Sequence, residues 1–362
     1  MKSKIYIIAF LVFAMPNLCL AQYTKLLDMD NTATGIYPYY GALYSDGTFL
    51  YGTTTNGGLN GDGTIFKIKS DGTAFSKLLD FDETVTGSIG ESSLISDGTY
   101  LYGTARKGGT SGDGTVFKIK PDGTGFTKIH DFAGEELGRD PHGSLYDDGI
   151  FLYGMTGQGG ADGVGTIYKL QKDGSDFSIV FNFEFWDFAL TGNSPYGSLI
   201  TDGTYLYGMT VGGGVVNQGV VFKIKPDGTG FLKLLDFTDD PNGSWGYGSL
   251  VYDGTYLYGM TNNGGEYNRG TIFKVKTDGT NYEKLLDLDN SNGAQPLGSL
   301  ILVGTTLYGM TELGGEDNDA QGNMFSIETD GSNFTTLIDF DGDNGSTPYG
   351  TLLYEDGAFF GM

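Results

Sequence analysis

The tripeptide Leu-Tyr-Gly occurs at 50–52, 101–103, 152–154, 206–208, 257–259 and 307–309, and a degenerate Phe-Phe-Gly stands at 359–361. Successive glycines of this motif lie 51, 51, 54, 51, 50 and 52 residues apart. Such constancy means internal duplication. A unit of about 50 residues cannot bury its apolar faces alone, so the copies must stack on one another. Stacking also relieves the limit on core growth that a single domain of 362 residues would meet.

Each unit divides into four short apolar runs separated by turn signals. In the second unit these runs are 93–95, 100–104, 115–120 and 126–132. Asp-Gly separates the first two runs and again the last two, at Asp97-Gly98 and Asp122-Gly123, and a glycine-rich loop over 108–114 joins the middle pair. Asp-Gly between apolar runs predicts a tight hairpin, here a type I′ turn with positive φ at both residues. The dipeptide recurs twice per unit, from Asp46-Gly47 to Asp356-Gly357, broken only at Val303-Gly304. No useful length of chain has helical periodicity. Runs such as 64–68 are apolar on both faces, as a sheet covered on both sides requires.

These features predict an all-β fold, a β-propeller of four-stranded antiparallel blades. Small residues at the first strand of each unit (Gly41-Ala42, Ser92-Ser93, Gly143-Ser144, Gly197-Ser198, Gly248-Ser249, Gly298-Ser299, Gly350-Thr351) place that strand at the crowded axis. First, second and fourth strands appear seven times, because residues 23–29 form a fourth strand ahead of the first hairpin. That strand would complete the last blade and close the ring. The third strand appears six times, so the expectation is seven blades with an incomplete last one, or alternatively six. The chain reaches Met362 where a seventh third strand is due, which suggests a sequence cut short by about 15–20 residues.

Residues 1–21 read as a separate object. Lys2 and Lys4 precede an apolar run over 5–13, and Cys19-Leu20-Ala21 offers a cleavage site before Gln22. This is the layout of a secretory signal peptide, too short to span a bilayer. The expected division is therefore a signal peptide over 1–21 and a propeller over 22–362, secreted or at the cell surface and without membrane insertion. Cys19 is the sole cysteine, so disulfides and thiolate chemistry are excluded from the exported chain. The net charge of −24 argues against nucleic acid and anionic membranes as partners and for a soluble monomer.

The segments Leu50-Tyr51-Gly52-Thr53-Thr54, Gly57-Gly58 and Gly63-Thr64-Ile65-Phe66-Lys67-Ile68 resemble the GloVer tandem repeat. So do the stretches 141–145, 195–199 and 296–300, of the form Pro-x-Gly-Ser-Leu. The resemblance spans nearly all of 22–362. Methionine replaces the first threonine of the motif at Met155, Met209, Met260 and Met310. The resemblance implies a secreted or surface repeat protein and supplies no catalytic residues.

The Asp-Gly turns fall on one face of such a ring. The fourth-to-first connections and the glycine-rich loops fall on the other, which varies between units and is the expected binding face. Tyr40, Tyr196 and Tyr349 precede the small-residue strands there. Trp186 lies in the longest unit, and Trp245 and Tyr247 lie in the matching connection. Aromatic rings among carboxylates suit sugar faces and also protein contacts. These six residues are the candidate binding set, for a glycan or a surface protein. The acidic strings Asp287-x-Asp289-x-Ser291 and Asp339-x-Asp341-x-Asp343 suggest calcium only weakly, since neither has the glycine and glutamate of a calcium loop. No cofactor is expected.

His130 stands where other units carry Leu79, Leu235 and Leu286, so it reads as a packing substitution, and His142 has no serine partner by motif. The chain therefore reads as a non-enzymatic interaction module. The alternatives are a glycan-cleaving propeller, with an unrecognised carboxylate pair, and a structural surface protein with no small ligand.

Overall fold

The computed structural model describes residues 6–11, 22–185, 188–315 and 321–362. It is an all-β propeller of seven four-stranded antiparallel sheets. Six are self-contained blades made of four consecutive strands; the fifth, for example, comprises Val251–Tyr252, Tyr256–Thr261, Thr271–Lys276 and Glu283–Asp287. The seventh sheet is a composite of the two ends of the chain, in the order Gln22–Asp28, Tyr6–Leu11, Ala358–Gly361, Leu353–Glu355. Self-contained blades thus number six, the alternative count. The expectation of an incomplete last blade is corrected, because Tyr6–Leu11 fills the third-strand place between Ala358–Gly361 and Gln22–Asp28. Among the described residues no helix is long and apolar enough to cross a membrane.

The Leu-Tyr-Gly motif has a separate physical task for each residue. Its leucine is buried in the packing between blades, as at Leu50, Leu101 and Leu257. In five of its six copies the tyrosine donates its hydroxyl to the aspartate of the preceding Asp-Gly turn, as Tyr51 does to Asp46 at 2.7 Å. Its glycine makes room for the third-strand aromatic. A Cβ on Gly52 would lie 2.5 Å from Phe66 Cζ, and one on Gly259 would lie 2.7 Å from Phe273 Cζ. Any larger residue would push the aromatic out of the sheet.

The hairpins form where expected, but with other geometry. Of the Asp-Gly turns, only Asp356-Gly357 has positive φ at both residues. In the first hairpin of the other blades φ is positive at the glycine alone (Gly47, +82°). There the Asp46 carboxylate accepts the N–H groups of Thr48 and Phe49, so the aspartate need not enter the left-handed region. In the second hairpin Gly72 N–H bonds to Lys69 C=O and Lys69 N–H to Thr73 C=O, a type I turn followed by a glycine bulge.

Hydrophobic cores lie between sheets. Tyr207, Met209, Val221 and Phe237 pack against Leu250, Leu257 and Phe273 of the next blade. The composite sheet does the same on both sides: Leu352 and Phe359 meet Met310 and Met324, and Phe360 meets Leu50 and Phe66. At the axis, backbones approach too closely for side chains. A Cβ on Gly197 would lie 2.3 Å from Gly248 O, and one on Gly350 would lie 2.7 Å from Gly41 O. Hydroxyls stitch the inner strands together. The N–H groups of Ala42, Ser93, Ser144, Ser198, Ser249 and Ser299 each donate to the side-chain oxygen of the next unit, ending at Thr351. A bridge between Ala42 and Thr351 closes the circle.

Candidate functional site

Each fourth-to-first connection delivers one side chain to the axis. It first passes through a non-glycine residue with positive φ, as at Ile89 (62°), Asp140 (61°), Ser194 (53°) and Trp245 (61°). That residue's N–H bonds back to the preceding loop: Ile89 to Asp62 O, Asp140 to Asp113 O, Ser194 to Val164 O and Trp245 to Gln218 O. The backbone is thereby anchored to two blades at once. Two residues later come Glu91, His142, Tyr196 and Tyr247, each just before its unit's small-residue pair. Tyr40, Leu297 and Tyr349 occupy the same place in the remaining units.

Five of these side chains border a cavity of about 280 Å³ on the axis. Tyr40, His142, Tyr196, Tyr247 and Leu297 line its mouth, and the inner-strand hydroxyls of Ser93, Ser144, Ser198, Ser249 and Ser299 line its wall. The aromatic rings support one another. Tyr196 lies 5.6 Å from Tyr247 and 4.1 Å from the His142 ring, and Tyr40 lies 6.1 Å from Tyr349. Burial, followed by the nearby Glu91 charge, pushes the Tyr40 hydroxyl up to about 12. Burial also raises Tyr196 and Tyr247, so all three phenols are protonated hydrogen-bond donors at neutral pH.

A charged cluster backs one side of this mouth. Arg106 Nη1 lies 3.2 Å from Glu91 Oε1, and its Nε lies 3.2 Å from Asp140 Oδ1. Lys107 Nζ reaches the same Asp140 oxygen at 2.6 Å. His142 Nδ1 lies 3.4 Å from Glu91 Oε2. Glu91, Asp140 and His142 are all buried. Burial alone would raise the Asp140 carboxyl, but the Lys107 ammonium and the Arg106 guanidinium outweigh it and hold it below the usual carboxylate range. Asp140 Oδ2 and His142 Nε2 are buried without a hydrogen-bond partner.

Of the six residues singled out in the sequence, Tyr40, Tyr196 and Tyr247 meet at the cavity mouth. Tyr349 stands beside Tyr40 and donates to Glu312 Oε1 at 2.9 Å. Trp245 holds the positive-φ position of its connection, half-exposed on the loop face away from the cavity lining. Trp186 lies outside the described residues. Sequence reasoning missed Glu91 and the buried setting of His142. Superposing the units at the small-residue pair would have put both in the tyrosine place. His130 is packed, stacked on Phe177 at 3.8 Å between ring centroids, and burial lowers its pKa to about 4.

Among the described residues no group of three or more His, Cys, Asp or Glu is placed to hold a metal ion. The acidic strings serve local turns. Asp289 accepts from Ser291 and Asn292, and Asp341 accepts from Asp343 and Asn344.

Fold and axial mouth together define a β-propeller repeat protein. The model of the Gloeobacter/Verrucomicrobia repeat matches residues 12–190, 90–260 and 239–362, and the chain belongs to that family. No curated protein matches the sequence. Among solved structures the chain is similar to the oligogalacturonate lyase of Vibrio parahaemolyticus, at 12% identity and TM-score 0.58 over 100% of this chain and 98% of that one. An oligogalacturonate lyase in complex with manganese gives 12% and 0.55 over 94% and 88%. A puromycin-hydrolysing peptidase of Mycobacterium tuberculosis gives 12% and 0.56 over 87% and 48%. At such identities the likeness concerns the fold alone.

Proposed function

We propose that this protein is a secreted or cell-surface binding module whose axial mouth receives the end of a neutral glycan. The observation that carries the reading is the convergence of Tyr40, Tyr196 and Tyr247, protonated and half-buried, over a cavity walled by serine hydroxyls. Aromatic faces cover the apolar side of a sugar ring, and hydroxyls exchange hydrogen bonds with its rim. The cavity volume of about 280 Å³ is small for a ligand site, which favours a chain terminus over an internal stretch. A net charge of −24 disfavours polyanionic glycans.

The test is a polysaccharide array followed by calorimetry and a reducing-sugar assay on every ligand found. Saturable binding that falls at least about tenfold in Tyr196→Ala and Tyr247→Ala, without release of reducing ends, supports the module. The buried Glu91–His142 contact at the same mouth favours one rival, glycan cleavage. Turnover abolished by Glu91→Gln would establish that rival. A chain that binds nothing on the array would leave a purely structural surface role.

A further inference from the structure

The fourth-to-first connection that enters the first blade is longer than its counterparts. Between the bridge residue Ile36 and the stitching residue Ala42 lie five residues, 37–41. The matching stretches 89–92, 194–197, 245–248 and 295–298 hold four. The added residue brings a second ring to the mouth, so Tyr39 stands beside Tyr40 where other units present one side chain. The backbone accommodates it by two three-residue turns in succession. Tyr39 N–H donates to Tyr37 C=O at 2.9 Å, and Gly41 N–H donates to Tyr39 C=O at 2.8 Å. Tyr37 and Tyr40 are both left-handed, at φ of 59° and 61°. Thr55 pins the turn by donating its N–H and its hydroxyl to the Tyr37 carbonyl, both at 2.9 Å. Left-handed backbone without glycine persists only where its surroundings fix it, and it gathers at ligand sites.

Four rings thereby form a row that leads away from the axis. Tyr40 lies 6.1 Å from Tyr349 and 6.2 Å from Tyr39. Tyr39 in turn lies 4.4 Å from Tyr349 and 5.2 Å from Tyr37, on which it stacks. Tyr37 follows its bridge residue as Trp245 follows Ser244, at the outer, loop-face end of the connection. All four rings are partly exposed. Among the described residues none of them enters the hydrophobic clusters between blades, so core packing does not account for the row. Glu312 stands beside it and accepts the Tyr349 hydroxyl at 2.9 Å. Burial raises the Tyr39 hydroxyl, and burial followed by the bond to Glu312 raises that of Tyr349, so both stay protonated at neutral pH. Ring faces, phenol groups and one carboxylate acceptor suit a ligand that is rich in hydroxyls, apolar on its ring faces and without negative charge.

We infer that Tyr39, Tyr37 and Tyr349 form a second subsite, a ledge that takes the sugar residues following the chain end of a linear neutral oligosaccharide seated in the mouth. This rests on the glycan reading above. The mouth has room for a chain end alone, and the ledge makes recognition depend on length. The steps of 6.2 and 5.2 Å between ring centroids, from Tyr40 through Tyr39 to Tyr37, suit successive pyranose rings of an extended chain.

The experiment is titration calorimetry of the full chain with linear gluco-, galacto-, manno- and xylo-oligosaccharides, from the monosaccharide to the hexasaccharide. In a series that binds, affinity should rise about tenfold from the monosaccharide to the trisaccharide and then level off. Tyr37→Ala and Tyr39→Ala should each abolish most of that rise, and Tyr39→Phe, which keeps the ring, should retain it. Tyr247→Ala at the mouth should weaken every length alike. A second readout needs no variant: the trisaccharide should add amide-exchange protection over 36–41 that the monosaccharide does not. Affinity that is flat beyond the monosaccharide, or no new protection over 36–41, overturns the ledge and leaves the mouth in place. Failure of every series at every length overturns the glycan reading, and the ledge with it.

Discussion

At the residue scale the cluster behind the axial mouth turns on Arg106, which touches two buried carboxylates at once. Removing one member of a buried ion pair leaves the other charged and desolvated, at a cost of about 3–5 kcal/mol. Lys107 still reaches Asp140, so Arg106→Gln should destabilise by about 3 kcal/mol in urea unfolding at neutral pH. Pairing it with Glu91→Gln removes the stranded charge, so the double variant should be more stable than Arg106→Gln alone. Simple addition of the two costs would refute the shared-charge account. His130 permits a cleaner pH test. Its folded pKa of about 4 lies below its unfolded value of about 6.5. The unfolded chain therefore binds a proton across that window that the folded chain does not. The resulting stability is complete above the unfolded pKa and is lost as pH falls through the folded one. His130→Leu, which installs the residue of three other units, should gain steadily on the wild type from pH 6.5 down to 4 and then level off. Parallel stability curves would show that this histidine does not titrate as a buried group. The leucine correspondence was legible in the sequence. The partnership of Glu91 with His142 was not, because 51 residues separate them and neither type matches the tyrosine otherwise usual in that place.

At the scale of elements, strand positions were legible because turn chemistry punctuates them, but turn type was not. Asp-Gly announces a hairpin, and nothing in the dipeptide says that the carboxylate will capture the N–H groups two and three residues on. At Asp253 the second carboxylate oxygen also accepts the Tyr258 hydroxyl at 2.7 Å. One side chain thus holds both the turn and the motif tyrosine. Asp253→Ala should cost about 1–3 kcal/mol in thermal unfolding, and Tyr258→Phe, which spares the turn, about 0.5–1.5 kcal/mol. Equal losses would place the whole effect in the phenol bond. Burial raises the Asp253 carboxyl, but the Tyr256 N–H, the Tyr258 hydroxyl and the Thr255 N–H prevail and lower it. This contribution is therefore present above the ordinary aspartate range and fades as pH falls through the lowered value. A second device holds the glycine-rich loops. In five blades the last residue of the outer strand accepts a loop N–H, among them Asp80 from Leu59, Asp236 from Val215, Asp287 from Glu266 and Asn182 from Ala161. Asn182 shows that an amide oxygen suffices. Asp236→Asn should therefore be milder than Asp236→Ala, the difference appearing as faster amide exchange over 213–219 in the alanine variant alone.

At the scale of the whole molecule, closure was legible in the fourth strand that precedes the first hairpin. The occupant of the last third-strand place was not, because the run over 5–13 has the layout of an export signal and lacks the threonine and lysine found in most other third strands. Charge acts at this scale too. Acidic residues number 45 and basic ones 21, so most carboxylates have no cation to face. The short pairs that do form, such as Lys77–Asp80 at 2.7 Å and Lys284–Asp287 at 2.6 Å, are partly solvated and contribute about 0–1 kcal/mol each. Repulsion among the remaining charges reaches about 30 Å at 10 mM salt and about 8 Å at 150 mM. It opposes compaction of every blade against its neighbours. Added sodium chloride screens both terms, and the repulsive one is the larger by number and range. Thermal stability at pH 7 should therefore rise between about 10 and 150 mM salt and flatten beyond, where only contacts within one Debye length still interact. The rise should persist at pH 5, where most carboxylates are still ionised. Below pH 4 it should shrink, because protonation relieves the repulsion and releases the aspartate turns together. A midpoint that falls on adding salt would mean that the ion pairs outweigh the field of the unpaired acids.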